Sequence, residues 1–256
     1  MDEEQIRVFV RKPYKREFKM SDHNTCWLCQ NSSELRESHI IPDCIFRLIR
    51  DESLAQRFYE LHDKTDSIIQ DGPKEYLLCG SCEQKISQYE KYFKEAIHFS
   101  RHGVKISHND RVAIIDNLDY KKTKLFFLSL LWRMSISSLP QFQIVRADDS
   151  EDIIRGMIER EEPGKSSEFS VSGIIPLINQ KMQEEWTTTA FMSRRPQAIV
   201  YRIVIGGILY SISTASQNCA YPAELLLNDS GRWIMPLTDI SRIPFLWEYI
   251  CQHFNK

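Results

Sequence analysis

Apolar positions recur along this chain at two different periods, and the change between them divides it. Through residues 83–99, Ile86, Tyr89, Tyr92, Phe93, Ala96 and Ile97 fall at the spacing of one helix face. Residues 120–137 are apolar on nearly every side, with Leu125, Phe126, Phe127, Leu128, Leu130, Leu131, Trp132 and Met134; they predict a helix buried in a sizeable core. Arg133 lies inside that run, where an unpaired charge is costly, so it either snorkels or pairs with a carboxylate. Residues 149–161 predict a more amphipathic helix, stopped by Glu162-Pro163-Gly164. Later the period shortens. Residues 169–175 predict a strand, and residues 199–205 and 208–214, flanking Gly206-Gly207, predict a hairpin, since two glycines permit the positive φ that tight primed turns need. Residues 246–254 predict a short helix. Nearer the N-terminus, Pro42 breaks a short strand, Ile45, Phe46, Leu48 and Ile49 begin a helical stripe, and Asp71-Gly72-Pro73 predicts a turn before a strand over residues 75–78.

The 256 residues are 42% hydrophobic and 27% charged, an ordinary globular composition with length for one large domain or two small ones. A formal net charge of -2 excludes a globally basic nucleic-acid binder, so any phosphate-binding surface has to be local. One candidate is a basic N-terminal arm, residues 1–23, with Arg7, Arg11, Lys12, Lys15, Arg16 and Lys19 relieved only by Glu17. Such an arm can lie along phosphates or simply stand in solvent. Lys121, Lys122 and Lys124, before the buried helix, and Arg194-Arg195 carry the same two readings. No charged-then-apolar leader opens the chain. Its most apolar run, residues 125–136, holds Ser129, Arg133 and Ser135 and is shorter than the ~20 residues a membrane span needs. The expectation is a soluble cytoplasmic protein with no membrane partner.

Seven cysteines is an odd number, and four of them form two CxxC pairs, Cys26/Cys29 and Cys79/Cys82, which favours metal ligation over a disulfide framework. Two intervening residues let both sulfurs of a knuckle reach one ion while backbone amides point at them, and soft thiolates hold Zn2+ well. Four thiolates for one structural Zn2+ is therefore the expectation. The gap between Cys29 and Cys79 is too wide for a compact ribbon, so the knuckles must frame an inserted unit. His23 and Cys44 stand as substitute ligands, His62 lies in a polar stretch that suits a solvated ring, and Cys44, Cys219 and Cys251 are otherwise reduced, partly buried thiols.

The inserted unit contains Glu37-Ser38-His39-Ile40-Ile41-Pro42, and it ends in Leu77-Leu78-Cys79-Gly80-Ser81-Cys82-Glu83. Over residues 24–100 the chain resembles the HNH, or His-Me finger, endonucleases whose ββα-metal unit is stapled by two CxxC knuckles. The resemblance implies that His39 is the general base, that Ser38 occupies the metal-side acidic position, and that Glu83 occupies the terminal histidine position beside a catalytic divalent ion. Mg2+ or Mn2+ would suit a carboxylate there, with Glu37 or Glu90 supplying a second oxygen; Glu90 lies two turns beyond Glu83 on the same face of the predicted helix. The chain departs from the family pattern at Ser38, at Glu83 and at Lys74, which falls where the family has an orienting asparagine. Lys74 joins Arg11, Lys12, Lys15 and Arg16 as a candidate nucleic-acid contact.

The fold class expected is α+β: an N-terminal zinc-stapled ββα-metal (HNH-like) unit, residues 24–100, followed by a mixed α/β C-terminal domain, residues 101–256, with a buried central helix and a β-hairpin. The C-terminal domain would serve specificity, dimerisation or partner binding. The function implied is a metal-dependent HNH-type endonuclease hydrolysing phosphodiester bonds in DNA, with RNA still open, in a bacterial anti-phage defence setting. The alternative is a catalytically degenerate zinc-binding module for nucleic-acid or protein interaction, which the three departures would allow. A zinc-containing transcriptional regulator fits less well, because no helix-turn-helix with a basic recognition face is evident.

Overall fold

The computed structural model describes residues 24–45, 58–59, 72–184, 186–188, 190–195, 198–214 and 221–254. The candidate contacts Arg11, Lys12, Lys15 and Arg16, the histidines His23 and His62, Cys219 and most of the stripe begun at Ile45 lie outside the described residues.

Strand β1 (Leu35–His39), the two-residue strand β2 (Phe58–Tyr59) and strand β3 (Lys74–Cys79) precede helix α1 (Gly80–Phe93). β1 and β3 pair antiparallel from Leu35↔Cys79 to His39↔Lys74, with a bulge between Arg36 and Glu37. α1 starts at the residue after β3, so the three elements form a compact strand–strand–helix unit. The helix is amphipathic as its spacing predicts, burying Cys82, Ile86, Tyr89, Tyr92 and Phe93. It then widens into a π-helical turn, Lys94–His98, a rare geometry that often accompanies function.

After β4 (Lys105–His108) and β5 (Val112–Asp116) comes α2 (Tyr120–Ile136), the predicted central helix. Asp119 caps it by accepting the Lys122 amide at 2.9 Å, and every residue over 123–136 is buried. Lys124 is neither a phosphate contact nor a solvent-facing charge: it is buried, and its ammonium donates to the carbonyls of Lys165 (3.3 Å) and Glu168 (2.7 Å). The run is apolar all round, so even its lysine has to satisfy its charge on backbone oxygen. Lys121 and Lys122 lie at the outer end, 3.5 Å from Glu161 and 3.2 Å from Asp119. Helix α3 (Glu151–Arg160) packs against α2 and ends on Glu161 in the left-handed conformation, ahead of the predicted stop.

The remaining strands are β6 (Val171–Ile178), β7 (Lys181–Met182), β8 (Thr187–Thr188), β9 (Phe191–Arg195), β10 (Ala198–Ile205), β11 (Ile208–Ser213) and β12 (Trp233–Asp239), followed by helix α4 (Pro244–Phe254). Eight strands form one sheet in the order β4-β5-β12-β6-β11-β10-β9, with β7 attached to β6. Every pairing is antiparallel except β12 with β6. The predicted hairpin is β10–β11, closed at Ile205↔Ile208 by Gly206 and Gly207 with φ of 55° and 76°.

The protein is thus a mixed α/β fold, with α2 between the strand–strand–helix unit and the large sheet. Phe93 of α1 stacks on Phe126 of α2 at 4.0 Å, and Phe127 meets Tyr210 of β11 at 4.8 Å and Trp233 of β12 at 6.0 Å. One continuous buried cluster runs from Cys26 and Leu28 through α2 to Met235, so the cysteine region and the sheet share a core. Among the described residues no helix is long and apolar enough to cross a membrane.

Candidate metal centre and adjoining cleft

The four cysteines of the two knuckles converge. The Sγ atoms of Cys26, Cys29, Cys79 and Cys82 all lie within 4.8 Å of one another. Local backbone explains each half. Around the first knuckle, the Thr25↔Ser32 bridge, the Cys26 amide bound to the Asn31 carbonyl (3.0 Å) and Gln30 at a left-handed φ of 59° fold the chain back on itself. The second knuckle straddles the junction of β3 and α1, placing Cys79 at the last strand position and Cys82 in the first helical turn. The positive end of the α1 dipole therefore faces the sulfurs.

Cys29 and Cys79 sulfurs are 3.9 Å apart. A tetrahedral Zn2+ with Zn–S of about 2.3 Å sets sulfurs ~3.8 Å apart, so the donor set fits the ion. The Cys79 amide donates to Cys26 Sγ at 3.3 Å, as a zinc knuckle requires. Burial pushes the Cys26 thiol up, and burial with the neighbouring Cys79 sulfur does the same at Cys82. Burial also opposes ionisation at Cys79, but hydrogen bonds from Ser81 and from Cys82 outweigh it and bring that thiol down to about 6. Four such cysteines could hold a metal ion, and zinc is the one their chemistry suits. Cys44 stands apart: burial, with the Glu90 charge adding, pushes it up to about 12, and it is not one of the cluster.

Beside this centre lies an open cleft of about 460 Å³, lined by residues of β1, α1, the π-helical turn and α2. His39 reaches it from the end of β1 and Glu83 from the first turn of α1. The His39 Nε2 and Glu83 Oε1 atoms are both covered and have no hydrogen-bond partner among the described residues. Glu90 also lines the cleft, as does Arg133, the charged residue inside α2. Arg133 pairs with a carboxylate: Nη2 lies 2.6 Å from Glu90 Oε1, while Nη1 donates to the His39 carbonyl at 2.7 Å and Nε to the Ser129 carbonyl at 3.3 Å. The buried helix thereby fixes the strand end that carries His39.

The structure brings His39, Glu83 and Glu90 together on one cleft and leaves Ser38, Glu37 and Lys74 off it. Ser38 is buried, its Oγ bonded to the Arg36 carbonyl at 3.3 Å, because strand alternation turns it away from its neighbour His39. Lys74 pairs with His39 across the strands, and its ammonium is 3.9 Å from Glu37. Asp43 and Glu95 line the cleft without having been singled out from sequence. Only the closeness of Asp43 to His39 in sequence, and the place of Glu95 on the run that continues the Glu83 helix, could have drawn attention to them.

The chain matches no protein-family model, no curated protein and no solved structure. The four-cysteine cluster and the mixed α/β fold therefore rest on this chain's own geometry.

Proposed function

We propose that the protein is a metal-dependent endonuclease of the HNH type that hydrolyses phosphodiester bonds in DNA. One observation carries the reading: His39 and Glu83 line the same cleft on a strand–strand–helix unit, and their Nε2 and Oε1 atoms are covered with no hydrogen-bond partner among the described residues. In a well-packed protein such orphaned atoms call for a ligand or a reacting group. His39, with its carbonyl held by Arg133, takes the proton of a water aimed at phosphorus as the new P–O bond forms and the ester P–O bond breaks. Glu83 would offer a hard oxygen ligand to Mg2+ or Mn2+, with the phosphate and water completing the shell. When bound, that ion supplies charge neutralisation at the phosphate and the leaving oxygen. The cysteine centre holds the end of α1 that carries Glu83, which is a structural role. A bacterial anti-phage setting follows from the resemblance alone.

A second reading, a zinc-braced module that binds nucleic acid or protein without cleaving, is favoured by one contact. Glu90 is committed to Arg133, which reduces the carboxylates left for a catalytic ion. Plasmid nicking with Mg2+ or Mn2+ separates the two. The parent chain should nick, and His39→Ala should slow cleavage by about 100- to 10,000-fold while keeping zinc and fold. A parent chain that binds DNA or RNA but cleaves neither under either metal leaves only the module. Parental rates in His39→Ala would remove His39 from the chemistry.

A further inference from the structure

Five large apolar side chains are exposed among the described residues, and of these only Phe99, 48% exposed, lines the cleft. It stands just beyond the π-helical turn, where Ser100 and His102 take left-handed conformations, φ 47° and 61°, and fold the chain back beneath it. Two cations lie over its ring: Lys94 Nζ at 5.7 Å and the Arg101 guanidinium at 5.4 Å from the centroid. Arg101 is held at 3.6 Å from Glu95, which also pairs with His102 at 2.7 Å, so the guanidinium stays near the ring. The cleft is thus layered. Glu83 and Glu90 are largely covered within it, whereas Lys91, Phe99 and Arg101 are exposed at its outer edge.

A covered interior holding His39, Glu83 and the Glu90–Arg133 pair beneath a cationic, aromatic rim has a chemical meaning. Cations at the edge match phosphates, and a half-exposed ring matches a flat heterocycle that takes the place of the cations over it as they move to the phosphates. A base in a closed duplex already stacks on its neighbours and offers no face to Phe99, whereas an unpaired base does. We infer that the rim takes an unpaired nucleotide: Phe99 stacks its base while Lys94 and Arg101 hold the flanking phosphates. The substrate is then single-stranded nucleic acid, or the unpaired part of a larger one. The inference rests on the nuclease reading of the cleft and names the substrate class for it. Stacking is tolerant of base identity, so little sequence preference is expected from this contact.

The test is binding of the full chain to one labelled oligonucleotide of mixed sequence, single-stranded and annealed to its complement, by fluorescence anisotropy without added divalent ion. The parent should favour the single strand. Phe99→Ala should weaken single-strand binding by ~5- to 150-fold and leave duplex binding as it was, and Phe99→Trp should restore it. Lys94→Gln should flatten the salt dependence by about one phosphate contact. Zinc content and melting temperature of each variant serve as the check on fold, which an exposed side chain should not disturb. Equal single-strand affinity in the parent and Phe99→Ala overturns the inference, as does a parental preference for duplex or no binding to either. Parallel cleavage assays separate the two levels of the argument. Phe99-dependent binding in a chain that cleaves nothing upholds the rim and sinks the nuclease; closed-duplex cleavage at equal rates in the parent and Phe99→Ala does the reverse.

Discussion

Replacing Arg133 with methionine should be among the most damaging single changes to this protein. The arginine side chain is 2% exposed and its partner Glu90 is 17% exposed, so the pair is largely out of water. Removing the guanidinium strands a carboxylate and also takes the donor from the His39 carbonyl. Breaking a buried pair on one side costs about 3–5 kcal/mol. Glu90 borders the cleft and keeps some access to water, so we expect the lower end, about 3 kcal/mol, with the His39 carbonyl adding about 1 kcal/mol. At about 2–4 °C per kcal/mol for a chain of this size, the melting temperature should fall by ~10 °C. Urea unfolding followed by tryptophan fluorescence measures the free energy directly. Pairing the change with Glu90→Gln should recover at least about 1 kcal/mol, because the double variant leaves no buried charge. Arg133→Lys should rescue poorly, since one ammonium cannot span Glu90 and the His39 carbonyl as a planar fork does. A stability loss under about 0.5 kcal/mol in Arg133→Met, or strict additivity in the double variant, would refute this account of the helix interior.

Two further outcomes follow from the cysteine centre and from a covered histidine. Cys79→Ser should weaken zinc binding by more than about 100-fold, since changes outside the ligand shell alone cost 10–100-fold, and should lower thermal stability in the same step; unchanged zinc per chain by elemental analysis contradicts it. His98 sits in the π-helical turn with a covered Nε2, and burial, with Lys94 adding, holds its ring down to about 4. The folded state therefore binds fewer protons than the unfolded one between about pH 4 and 6.5, so stability falls as pH drops through that window, by up to ~3 kcal/mol in total. Urea midpoints at pH 7 and pH 5 should differ less in His98→Gln than in the parent; identical differences would remove His98 from the pH response.

Most of what positions the candidate site could be read from local pattern. The CxxC spacing foretold the cysteine cluster, the all-round apolar run foretold α2, and the Gly-Gly pair between alternating segments foretold the β10–β11 turn. The choice left open for Arg133 is resolved in favour of a carboxylate. Other parts carry little local signal. All four residues of β4 are exposed, so no alternation marks it as a strand. β12 contains Pro236, a residue that argues against a strand interior; it is tolerated because β12 changes partner there, leaving β5 after Pro236↔Val112 and joining β6 at Leu237↔Ile175. Lys124 read as surface because charge ordinarily is, and only the carbonyls across from it explain its burial. Asp43 and Glu95 became visible as cleft residues only once β1 and α1 were brought together, a long-range event with no mark in either segment.

The double allegiance of β12 also shapes how the chain must assemble. The ribbon of β4 and β5 is made well before β12, yet among the described strands its lateral neighbour in the sheet is β12. Until residues 233–239 emerge, β5 presents an unsatisfied edge, and Trp233 is missing from the aromatic cluster around Phe127. Closure of the core is thereby deferred until that strand is made, and a nascent chain halted short of it would display the sort of sticky border that chaperones shield.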